Sequence, residues 1–135
     1  MGKNKPITKY TADWLARAEE DIQVMEILLK EGGLPNSICF HAQQSGEKYF
    51  KAFLAFQGKN IRKVHDLAAF LTFCEEIDIS FDILKAEVDI LDKFYIETRY
   101  PGDYPEFTLK EAEEASEAAQ KIKEFVVDKI KSEHE

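Results

Sequence analysis

Four side chains able to hold an anion or move a proton fall close together in the chain: His41, Gln44, Lys48 and Lys51, spaced three, four and three residues apart. On a helix those steps return to one face, so an imidazole, a carboxamide and two ammonium groups would stand in a single stripe. Together they are reasonable ligands for a phosphate or a carboxylate. The same spacing also suits an ordinary solvated helix face with a lysine-rich end, which is the commoner outcome. A second cluster is His65-Asp66, where Asp66 reads as a helix cap and His65 as a partner for nearby backbone. The third is Thr98-Arg99-Tyr100-Pro101-Gly102-Asp103. Arginine occurs only at positions 17, 62 and 99. Arg99 stands at a sharp helix stop, where it can donate to the last carbonyls, pair with a carboxylate or grip a phosphate.

Other chemistries lack their residues. A di-iron bundle needs Glu-x-x-His pairs on two helices, and the chain has none. There is no Cys-x-x-Cys zinc spacing, so no metal is expected. Gly32-Gly33 and Gly58 fit neither a P-loop nor a dinucleotide fingerprint. Cys39 and Cys74 share faces with Phe, Leu and Ile, which suits buried free thiols rather than a polarised nucleophile. The acidic run Glu111, Glu113, Glu114 and Glu117 opens the last helix, where carboxylates favour the helix dipole.

The elements that must position these groups are helical. Trp14, Ala18, Ile22, Met25 and Leu29 recur at steps of four, four, three and four behind a cap at Thr11 or Asp13. Gly32-Gly33 stops this helix, and Pro35 suits the first turn of the next. That second helix, 35–56, carries Ile38, Cys39, Ala42, Gly46, Tyr49, Phe50, Phe53, Leu54 and Phe56, an apolar arc wider than one partner helix needs. It predicts a central helix, or one that also faces a second subunit. Gly46 costs roughly 1 kcal/mol against Ala inside a helix, which points to another backbone passing close by. After a loop at 57–64, Leu67, Phe70, Leu71, Cys74 and Ile77 mark a short third helix. Ser80 caps a fourth carrying Leu84, Val88, Leu91 and Tyr95, which ends at Pro101-Gly102. Thr108 and Glu111 form a capping box for a fifth, running through Ala112, Ala115, Ala119, Ile122, Val126 and Ile130. The expected architecture is all-α: an up-and-down four/five-helix bundle, with a flexible N-terminus over 1–10 and one helical domain over 11–131.

Composition narrows the partners. The 135 residues suit one domain, and 44% hydrophobic content with ten Phe supplies a core. A formal charge of −8 excludes charge-driven coating of DNA or RNA, although a local basic pocket remains compatible with it. No apolar run approaches ~18 residues, and Met1–Lys5 lead into no apolar stretch, so a cytoplasmic protein is expected.

The stretch Cys39-Phe40-His41-Ala42-Gln43-Gln44-Ser45-Gly46-Glu47-Lys48, taken with Thr98-Arg99-Tyr100-Pro101, resembles the HEPN domains (higher eukaryote and prokaryote nucleotide-binding), in particular the prokaryotic stand-alone branch. His65-Asp66-Leu67 and Trp14 also sit where that branch has them, and the resemblance covers about 14–127. It implies a helical bundle, homodimers and pairing with minimal nucleotidyltransferases, as in toxin–antitoxin systems. By matching position it makes His41, Gln44, Lys48, Arg99 and Tyr100 site candidates, with Lys51 and His65 beside them. It implies no obligatory cofactor and a nucleotide such as ATP as the ligand. HEPN ribonucleases resemble one another in an R-x(4-6)-H motif, which this chain lacks. Arg62 and His65 have only two residues between them, and no His follows Arg99 until His134. The expectation is therefore a nucleotide- or partner-binding module without confident catalytic residues. The alternatives are a metal-independent RNase toxin using His41 and Arg99, and a purely structural dimeric scaffold.

Overall fold

The computed structural model describes residues 4–64, 66–95 and 105–135. Its helices, in chain order, are α1 (Lys9–Glu31), α2 (Pro35–Phe56), α3 (Leu67–Ile77), α4 (Lys85–Asp92) and α5 (Leu109–His134), with a 3-10 helix (Ile79–Leu84) leading into α4. The all-α bundle read from the sequence is the fold observed. Of the site residues named above, His65, Arg99 and Tyr100 lie outside the described residues.

The long helices start and stop for local reasons. Thr8 caps α1, its hydroxyl accepting from the Thr11 N–H. The helix therefore begins before the expected caps at Thr11 and Asp13, and Thr11 is instead buried. At its other end Gly32 takes the left-handed conformation, φ 74°, that other residues enter only with strain. Pro35 opens α2, and Thr108 with Glu111 forms the reciprocal capping box of α5. Before α1, the Asn4 and Lys5 N–H groups donate to carbonyls at the end of α5.

Two caps differ from the sequence reading. Asp66 occupies the N-cap position of α3 but makes no capping bond. Asp92, at the end of α4, supplies it: its two carboxylate oxygens accept from the Leu67 and Ala68 N–H groups at 2.7 and 3.0 Å. Burial pushes the Asp92 carboxyl above its ordinary value, with Asp66 and Asp89 adding to the effect, while those two N–H groups pull the other way. Likewise Asp78, not Ser80, caps the 3-10 helix, accepting from the Ser80 N–H at 3.0 Å. A cap need not lie in the sequence next to the helix it closes.

α2 is the axis of the bundle. It packs against α1, α5, α3 and α4, and its wide apolar arc is filled within one protomer. The arc thus requires a central position, not a second subunit. Phe50, Phe53, Phe70, Phe81 and Phe94 are fully buried, and Phe53 lies with its ring centroid 4.4 Å from that of Phe81. Burying side chains of this size stabilises the fold by about 1.5–3 kcal/mol each before entropy is counted. At Gly46 the close approach comes from side chains, not from the backbone that its sequence position suggested. A Cβ there would stand 3.2 Å from Leu67 Cδ1, 3.3 Å from Leu91 Cδ1 and 3.5 Å from Ile122 Cδ1. Methyls from α3, α4 and α5 converge where α2 has no side chain.

Candidate functional site

The stripe on α2 is not a solvated face. It turns toward α1, and two of its polar groups, His41 and Lys48, find a partner on that helix. Asp21 of α1 is 6% exposed. Its Oδ1 lies 2.8 Å from His41 Nδ1, and its Oδ2 accepts from Lys48 Nζ at 2.6 Å. The two partners' side chains are themselves only about a quarter exposed, 27% for His41 and 24% for Lys48. One carboxylate therefore joins two of the sequence-derived candidates.

The other two are placed differently. Lys51 Nζ donates to Glu47 Oε2 at 2.8 Å and lies over two aromatic faces, 4.9 Å from the Trp14 centroid and 5.6 Å from that of Phe70. Gln44 Nε2 donates to Gln43 Oε1 at 2.8 Å. Gln43 is itself buried, and its Nε2 has no acceptor among the described residues. A buried amide donor left unpaired costs about 1–3 kcal/mol, so this atom is an uncompensated polar group in the interior. One turn further along, Tyr49 donates to Glu19 Oε2 at 3.1 Å, and Lys123 of α5 pairs with the same oxygen at 2.8 Å. Burial raises the Tyr49 hydroxyl well above its ordinary value, and the Glu19 carboxylate adds to it.

Asp21 is the residue sequence reasoning missed. The signal was present: Asp21 follows Ala18 by three and precedes Met25 by four, so it sits in register on the apolar face of α1. A charge in that register must be paired or exposed, and here it is paired.

The geometry sets what His41 can do. Nδ1 donates to a carboxylate already neutralised by an ammonium, which fixes the ring's orientation and, in the neutral form, its tautomer. Nε2 is then the basic nitrogen, with no hydrogen-bond partner among the described residues. A carboxylate-oriented imidazole is the arrangement by which a histidine serves as a general base or acid. By contrast, Lys48 and Lys51 each already hold a carboxylate, so an incoming phosphate would compete with Asp21 and Glu47 for them. Thiol chemistry is remote. Burial, helped by Glu111, pushes Cys39 up to about 12, and burial raises Cys74 further. Among the described residues no three His, Cys, Asp or Glu groups gather to hold a metal, and no helix is long and apolar enough to cross a membrane.

Comparison with known proteins bears on the same stretch. The family model of the HEPN domain matches residues 11–131. A protein of Methanocaldococcus jannaschii named "Putative toxin MJ1304" is 29% identical over 140 residues, covering 93% of this chain and 91% of that protein. The crystal structure of TT1696 from Thermus thermophilus superposes with a TM-score of 0.75 at 33% identity, over 90% of this chain and 99% of that one. The structure of ST0689, an archaeal HEPN homologue, gives 0.73 at 31% identity, over 91% and 99%.

Proposed function

The chain belongs to the HEPN domain family, and from that premise we propose that it is a toxin-class HEPN module with His41 as its reactive group, governed by a partner protein that docks beside it. The observation that carries this reading is the Asp21–His41 pair, 2.8 Å apart in a seam closed by Lys48. The relative named "Putative toxin MJ1304" supports the class.

The chemistry proposed is transesterification of RNA. His41 Nε2 takes the proton of a ribose 2′-hydroxyl; that oxygen bonds to the adjacent phosphorus, the bond from phosphorus to the 5′-oxygen breaks, the leaving oxygen takes a proton from water, and the imidazolium returns its proton to the hydroxide so formed. In this reading Arg99, which lies outside the described residues, supplies the positive charge for the phosphorus centre, and the absence of an R-x(4-6)-H motif counts against it. The partner is a minimal nucleotidyltransferase, and homodimerisation belongs to the same proposal. What supports a docking surface is apolar exposure: Ile27 and Leu34 are 62% and 64% exposed, and Phe40 stands with its ring edge-to-face to His41, centroids 5.2 Å apart.

The test is incubation of purified protein with RNA. Cleavage is expected, and His41→Ala is expected to abolish it while the helical circular-dichroism signal survives. RNA left intact by the unaltered protein removes the catalytic reading. A second reading, binding without catalysis, is favoured by the pairing of Lys48 and Lys51 with carboxylates, which leaves the ridge better matched to a protein surface than to a nucleotide. Calorimetry with ATP separates its two forms: no heat at millimolar ATP leaves only the protein partner.

A further inference from the structure

The face of the bundle formed by the 3-10 helix, the start of α4 and the second half of α5 is built differently from the seam. Three depressions of about 420, 380 and 620 Å³ run along it. The first two share Phe125 and Asp128 as walls, and the last two share Lys129 and Ser132, so they form one groove. It follows α5 from Lys121 to Glu133, about 18 Å at 1.5 Å per residue, which is a little over three helical turns. Ile79 and Ile83, the two most exposed large apolar side chains described, stand on its edge at 73% and 68%. Isolated exposed leucines and isoleucines are common; two flanking one groove with an aromatic floor at Phe125 make a continuous apolar strip.

Charge decides what fits there. Carboxylates among the lining residues outnumber ammonium groups five to two. Lys121 and Lys129 are already engaged with Glu87 and Asp78, whereas Glu124 and Asp128 make no ion pair among the described residues. A second copy of this chain would bring the same negative strip against itself, and like charges face to face oppose association. We propose that this groove docks an amphipathic helix of another protein, about three turns long, with apolar residues toward Ile79, Ile83 and Phe125 and lysine or arginine along its edges.

The probe is a fluorescein-labelled peptide of about 14 residues with a leucine/lysine helical pattern, titrated with the full chain and read by anisotropy. Saturable binding is expected, with none for the leucine/glutamate counterpart. Replacing Ile79→Ser and Ile83→Ser together leaves every charge in place and touches only exposed side chains, so the melting temperature should hold while affinity falls about tenfold or more. Glu124→Lys with Asp128→Lys should also weaken binding and flatten its salt dependence. As a control, Ile27→Ser with Phe40→Ser should bind the peptide as the unaltered chain does. Absence of binding overturns the proposal. So does affinity unchanged by the double serine variant at 79 and 83, which would mean unspecific charge attraction, or affinity lost only in the control, which would put the docking face at the seam.

Discussion

The two sides of α2 exclude water by opposite means. Toward α3, α4 and α5, around Gly46, the contact is hydrocarbon alone: methyls of Leu67, Leu91 and Ile122 crowd a position that carries no side chain. Toward α1, the same helix closes its surface with polar and charged pairs, Asp21 against His41 and Lys48, and Glu47 against Lys51. The apolar side gains free energy in proportion to the area it hides and is indifferent to direction. The ionic side gains little net energy, because desolvation offsets most of the attraction, but it fixes atoms in defined directions. A helix bearing both can be held firmly by one side while the other orients a reactive ring.

Breaking the apolar side should have the largest effect. Leu91 is fully buried, and Leu91→Ala is expected to cost about 2–5 kcal/mol in urea unfolding. A loss below about half a kcal/mol would mean that the residue is not packed as described. Breaking the ionic side should cost less. Asp21→Ala leaves the Lys48 ammonium and the His41 ring without their carboxylate, but both side chains are about a quarter exposed and can take up water, so about 2 kcal/mol is expected, below the usual range for a broken buried pair. The sharper measurement is the double variant Asp21→Leu with Lys48→Met, which should recover most of that loss; if it is no more stable than Asp21→Ala, the seam is a stabilising device rather than an orienting one. The smallest effect belongs to Gly46→Ala. The new methyl would meet side-chain ends at 3.2 and 3.3 Å, and a helix-propensity gain of roughly 1 kcal/mol works against that crowding. A net destabilisation of about 1 kcal/mol or less is expected, and a clear stabilisation would show that Leu67 and Leu91 move aside freely.

How much of this the amino-acid sequence discloses depends on how far apart the interacting residues lie. Bounds set by neighbours are legible: Pro35 at the start of α2, Gly32 at the stop of α1, and the Thr108–Glu111 box. The central position of α2 follows from its arc of apolar residues. Interactions that close only in space are harder. Asp92 caps a helix that begins 25 residues earlier in the chain, and Asp21 meets His41 across a gap of 20. Neither distance leaves a periodic trace, although a carboxylate in register with Ala18 and Met25 announces that some partner must exist. The stripe of His41, Gln44, Lys48 and Lys51 was visible as a stripe. That it faces another helix rather than solvent depended on Asp21. The sequence also offered no sign that the fourth helix starts as a 3-10 segment, since Ile79, Phe81 and Leu84 satisfy either geometry.

Trp14 is the only indole in the chain, and the Lys51 ammonium lies over its face. Its fluorescence therefore depends on a charge held in place by Glu47, at the border of the seam that aligns His41. Light emitted by this one ring follows the state of the ionic side of α2 without any label, whereas the hydrocarbon side, populated by phenylalanines, is nearly dark at the same wavelengths.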